Sequence, residues 1–272
     1  MIERFNFYDI RGYLLPGFAV LGFAWLPYGL VSDRWPSSDA LSIVAALILA
    51  WLAGALLQSM TASLVSIRTL SGRTPSHRLL DGDDLNLDTA TREALVTRIE
   101  NELGIDVATP GTDLELRRQT AFARSRSALV HARQSAYAEQ FEGMFALMRG
   151  LCLAAAAGSA WAAGWLARSF GASGLLDLLA NVFLLALLIS LLLNFRGRAA
   201  EEQSGSLAFL LLAALFLGGF SMAAGLADRD DHVSLAVTML TLAFVAARSY
   251  AAYVRFTVIF ARTVYLDFLR LA

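Results

Sequence analysis

Apolar residues along this chain are gathered into runs of about twenty, the length of helix needed to cross a bilayer. The runs lie at about Gly12–Val31, Ala40–Ser63, Gly150–Ala167, Leu175–Phe195 and Leu207–Ala227, and a sixth starts near Val233. The pattern predicts an all-α integral membrane protein with about six transmembrane helices. Pro16 and Pro27 are expected to kink the first span, tolerated where neighbouring helices satisfy the freed carbonyls. Ala46, Ala50 and Gly54 in the second span have small-xxx-small spacing for close helix contact. In the third, Ala154, Gly158 and Ala162 form one small face, and Ala156, Ala160 and Gly164 another.

Two of the helices are predicted to run beyond the membrane. From Thr112, whose spacing to Glu115 suits a capping box, no proline or ending glycine intervenes before Trp165. Unbroken, some fifty residues span roughly 75 Å, more than twice a hydrocarbon core of about 30 Å. The sixth span likewise continues without Gly or Pro to the C-terminal region, with Arg248, Arg255 and Arg262 every seven residues. Ser71–Asp88 is rich in Gly, Pro, Ser and Asp and reads as loop. Asp88–Leu103 reads as a short amphipathic helix closed by Gly104, with Leu95, Ile99 and Leu103 on one face. The expected divisions are residues 1–65 (interfacial segment and two spans), 66–148 (cytoplasmic helical insert), 149–247 (further spans) and 248–272 (C-terminal extension).

Charged residues make up 17% of the 272, against about 25% in soluble domains. All 22 basic residues are arginines. With the N-terminus inside and six spans, only Arg34, Arg168 and Arg229 face outward, in accord with the positive-inside rule. Both termini are then cytoplasmic. Met1–Arg11 mixes acids with aromatics and does not suit a secretory signal; it reads as an interfacial segment.

No catalytic signature, P-loop or Rossmann glycine pattern is present, and the expectation is a protein that is not an enzyme and carries no cofactor. Asp81, Asp83 and Asp84 lack the spacing and closing Glu of a calcium loop, and Cys152 has no ligand neighbour; no metal site is expected. The sharper feature is a cationic row on the long helix: Arg117, Arg124 and His131 on one seven-residue stripe, Arg126 and Arg133 on another, and Arg118 beside them. Such a row suits a phosphate-bearing ligand. Salt bridges to the acidic loop or contact with lipid headgroups are the plainer readings. Within the spans, Asp177, Asn181 and Asn194 are candidates for a pore or an intramembrane polar site.

Phe7–Gly17 has the form F-Y-D-x-x-G-Y-L-x-P-G, and Tyr253–Phe268 interleaves aromatics with arginine (YVRFTVIFARTVYLDF). Both runs resemble small multispanning membrane effectors of bacterial anti-phage defence, the Hailong-type channel effectors. The resemblance implies a homo-oligomeric inner-membrane channel or membrane-disrupting effector in contact with lipid. It would be held or opened by a nucleotide or single-stranded oligonucleotide signal from a partner nucleotidyltransferase. The other expectation is a non-conducting membrane anchor for a cytoplasmic partner enzyme.

Overall fold

The computed structural model describes residues 9–64, 74–81, 87–170, 204–223, 226 and 231–271. Among them the chain is all-helical. A π-helical turn, Ile10–Leu14, leads into α1 (Leu15–Ser32). There follow α2 (Ala40–Leu64), α3 (Pro75–Asp81), α4 (Thr89–Leu103), α5 (Leu114–His131), α6 (Ala136–Ser169), α7 (Ser204–Met222) and α8 (His232–Arg270). Among the described residues four helices are long and apolar enough to cross a membrane: Ile10–Ser32, Ala40–Thr61, Ala136–Ser169 and His232–Arg270. These correspond to the first, second, third and sixth predicted spans. The fourth, Leu175–Phe195, lies outside the described residues. The fifth falls on α7, whose apolar stretch among the described residues is Ala213–Met222; the helix ends at Met222, short of the predicted Ala227.

The chain divides into two compact units. The first takes Met1–Ser66 and Ala146–Ala251, the second Ile67–Phe145 and Ala252–Ala272. In the first unit the outward surface is apolar: Leu41, Ile48, Leu52 and Leu56 on α2 are each more than half exposed, a surface suited to lipid rather than water. Lipid is as apolar as leucine, so the helices gain little by burying side chains and associate through close packing instead. A Cβ on Gly17 would lie 1.7 Å from the Ala50 carbonyl oxygen, and one on Gly54 would lie 1.9 Å from that of Tyr13. The backbones of the first two spans touch at these points. Gly164 and Gly219 do the same for α6 and α7, against the Phe216 and Trp161 carbonyls. Ala154, Gly158 and Ala162 are buried as a face, while Ala156 and Ala160 of the other predicted face stay half-exposed.

Pro16 sits at the very start of α1. Its missing N–H orphans the carbonyl four residues back, that of Gly12. Gln58 of α2 donates its Nε2 to that oxygen at 2.6 Å. The π-turn closes in the same place, with the Leu15 N–H on the Ile10 carbonyl.

The second unit has a conventional core of Leu79, Leu95, Ile99, Val107, Ala121, Tyr265 and Phe268. Here α4 follows the sequence pattern: Asp88 caps it by accepting from the Thr91 N–H at 2.8 Å, Gly104 ends it at φ 65°, and Leu95 and Ile99 are fully buried. Part of the predicted loop Ser71–Asp88 is helix α3, whose His77, Leu79 and Leu80 are buried; its roughly two turns form because those side chains reach the core, not because of its composition.

The predicted rod from Thr112 to Trp165 does not exist. α5 ends at His131, and α6 begins afresh at Ala136. The end is a Schellman motif: the Gln134 N–H bonds the Leu129 carbonyl, and the Arg133 N–H bonds that of Val130. Arg133 occupies the left-handed position, φ 57°, where glycine is usual. A non-glycine residue there costs about 1–2 kcal/mol. What offsets it is packing: Leu129 before the break and Ala138 after it are both buried with Phe260 and Val264 of α8. The start of α5 also differs from expectation, since Asp113 rather than Thr112 is at the cap and makes no side-chain capping bond.

If the glycine crossing holds the first two spans together, Gly54→Val should destabilise the protein by about 2–3 kcal/mol, seen as a lower melting temperature in detergent. Gly22→Ala, where a Cβ meets nothing within 4 Å, should leave the melting temperature unchanged.

Candidate functional site

The six cations predicted on the long helix all lie in the second unit, on α5 and in the turn that ends it. The structure divides them by what they touch. Arg118 is buried; its Nε donates to the Val107 carbonyl at 3.1 Å and its Nη1 pairs with Asp81 of α3. That joins α5 to α3 and to the segment before α5. Arg117 braces the same segment. Its Nη1 donates to the Asp106 carbonyl at 2.7 Å and its Nη2 to the Thr109 carbonyl at 2.6 Å, with the Asp106 and Asp113 carboxylates at 3.1 and 3.2 Å.

Arg126 donates to Glu142 of α6 at 2.5 Å and lies over the Phe260 ring at 5.7 Å. This pair is itself proof of the chain reversal. Sixteen residues of straight helix would hold Arg126 and Glu142 roughly 24 Å apart. Arg124 is exposed and donates only to the Leu103 carbonyl at 3.2 Å. His131 and Arg133 are exposed and, among the described residues, make no side-chain hydrogen bond or ion pair. The row is therefore not one ligand surface in this conformation. Three members hold the unit together, and Arg124, His131 and Arg133 are open to an outside group.

Asp81, the first of the acidic loop triplet, is the partner of Arg118; Asp83 and Asp84 lie outside the described residues, as do Asp177, Asn181 and Asn194. Among the described residues no three His, Cys, Asp or Glu side chains gather as a metal site. The electrostatics of the braced segment are local. The Thr109 amide and hydroxyl and the Ala108 amide, with the Arg117 guanidinium adding its charge, hold the Asp106 carboxyl well below the ordinary carboxylate range.

Three polar side chains that the sequence pattern did not single out hold key positions. Arg98 of α4 caps the end of α8, donating Nη1 to the Leu269 carbonyl at 2.6 Å and Nη2 to that of Leu271, while its guanidinium covers Phe268 at 5.4 Å. These are carbonyls that a helix leaves unpaired. Gln58 and Arg149 meet in the first unit, with Arg149 Nη2 donating to Gln58 Oε1 at 2.9 Å. A lone amide in the second apolar run was a visible signal; its partner 91 residues away was not. No family model, no curated protein and no solved structure matches the chain.

Removing Arg118 takes the guanidinium from Asp81 in a site where the two side chains are 9% and 16% exposed. Arg118→Ala should cost about 3 kcal/mol, and the double variant with Asp81→Ala less than the two single losses added. Amide hydrogen exchange across α4 and α5 measures both; additive losses would mean that the pair does not brace the unit.

The folded pKa of Asp106 lies below its unfolded value of 3.8. Its stabilisation is present above that value and disappears as pH falls through the lower folded pKa. Asp106→Asn should reduce stability at neutral pH and flatten the acid side of the melting-temperature profile, between about pH 4 and pH 2. Matching acid limbs in parent and variant would remove Asp106 as a contributor.

Proposed function

We propose that the chain is a homo-oligomeric effector of the bacterial inner membrane: a ligand-gated ion channel with cytoplasmic termini, acting in anti-phage defence. The second unit would take up a phosphate-bearing signal, a nucleotide or oligonucleotide made by a partner nucleotidyltransferase, as the resemblance of the terminal runs implies. The observation that carries this reading is α8. It is a single helix from His232 to Arg270 without a break. Its first half turns Val233, Val237, Leu240 and Phe244 outward, at a four-three-four spacing suited to the same face of a second copy. Its second half gives Phe260, Val264, Tyr265 and Phe268 to buried clusters. A ligand that repacks those clusters acts on the same backbone rod that crosses the membrane, and helix shifts of 1–2 Å are a common form of switching.

The ligand face in this reading is narrower than the full arginine row. Arg124, His131 and Arg133 receive the phosphate oxygens, while Arg117, Arg118 and Arg126 keep the unit folded. A charge reversal at Arg126 would break its pair with Glu142 and confuse folding with signalling, so it is not a clean test. The second reading, a non-conducting anchor for a cytoplasmic enzyme, draws support from that same pairing, since half of the cations serve the fold.

The protein reconstituted in planar bilayers should pass current that changes when single-stranded oligonucleotides of defined length are added. In the double variant Arg124→Glu, Arg133→Glu the half-maximal oligonucleotide concentration should rise at least about tenfold, with assembly unchanged by size-exclusion chromatography. An oligonucleotide response equal to the parent's rejects the ligand face, and absence of any current favours the anchor.

A further inference from the structure

Arg149 sits in a helix that otherwise carries no charge for a long way. Residues 150–167 of α6 hold none; eighteen residues rise roughly 27 Å, close to the thickness of a hydrocarbon core. Arg149 and Arg168 therefore mark the two faces of that core. On α2 the stretch between Asp39 and Gln58 has the same length and also carries no charge. Gln58 is hydrogen-bonded to Arg149, so both helices place this pair at one membrane boundary.

The amide of Gln58 is committed at both ends. Its Nε2 donates to the Gly12 and Ala146 carbonyls at 2.6 and 3.2 Å. Its Oε1 accepts from Arg149 at 2.9 Å and faces the Thr61 hydroxyl at 3.3 Å. The guanidinium is in the opposite condition. It is half-buried, its Nε is enclosed without an acceptor, and its one hydrogen bond goes to a neutral oxygen. Among the described residues no carboxylate pairs with it. A cation at the edge of lipid, fixed in place by a braced amide and with Nη1 left for an outside acceptor, lacks an anion.

We propose that Arg149, oriented by Gln58, is a binding site for a phosphate group at the membrane boundary, the phosphodiester of an anionic phospholipid being the source the setting favours. The planar donor fork of arginine matches phosphate oxygens, and basic pockets between spans are known forms of headgroup site. The Gly150 backbone beside Arg149 lies against Pro16, where a Cβ would meet the ring at 2.8 Å. The first two spans and α6 are thus held around the guanidinium, and the bound phosphate would neutralise the Arg149 charge at their junction.

The test is native mass spectrometry of the full-length protein extracted from bilayers of equal phosphatidylglycerol and phosphatidylcholine. The parent should retain phosphatidylglycerol in preference, and Arg149→Gln should reduce that preference about tenfold. Arg149→Lys keeps the charge without the fork and should reduce it at least about twofold; this variant is decisive if Arg149→Gln does not fold. Arg168→Gln, at the other boundary, should leave it unchanged. Inorganic phosphate in excess identifies the source: displacement of the lipid assigns the site to phosphate in general, and persistence assigns it to the headgroup in its bilayer setting. A parent without preference, Arg149 variants that keep the full preference, or an equal loss with Arg168→Gln would each overturn the proposal.

Discussion

The first unit depends on backbone atoms touching where side chains are missing. In an apolar medium two helices gain no hydrophobic energy by meeting, so dispersion contacts and the few available hydrogen bonds decide whether they stay together. Gly17 against Ala50 and Gly54 against Tyr13 bring the first two spans to backbone contact. Pro16 between these contacts opens a carbonyl, and Gln58 closes it from the opposite helix. The same few residues supply close approach, an unmet acceptor and its donor, so geometry and polar satisfaction specify one crossing rather than many.

The second unit is held by a different balance. Its core of leucine, isoleucine and aromatic side chains is an ordinary hydrophobic one, and its arginines serve as ties. Arg118, Arg117 and Arg98 each bond a carbonyl at a segment or helix end that the backbone leaves open. A guanidinium suits this work because its fork reaches two acceptors from one long stem. The reversal at Arg133 follows from that packing. A left-handed arginine and a broken helix are acceptable only because Leu129, Ala138 and the Arg126–Glu142 pair converge on α8.

In the proposed function the continuous element is α8, since the α5–α6 stretch is broken. The break at Arg133 removes one lever, while α8 remains a continuous helix with half its length apolar and outward and half of it in buried clusters. The open cations Arg124, His131 and Arg133 lie at and before the reversal.

Local pattern along the chain was enough to show helices in the described residues and apolar ones of membrane length near Gly12, Ala40, Gly150 and Val233, because length and hydrophobicity are local properties. It also determined α4, whose caps Asp88 and Gly104 and apolar stripe agree. Long-range packing set where the long helix breaks, since nothing local marks Arg133: no glycine or proline is there, and the stabilising contacts come from α8, more than a hundred residues on. It likewise decided which arginines are ties and which are open, because a guanidinium's role is set by the carbonyl or carboxylate that folding brings within reach.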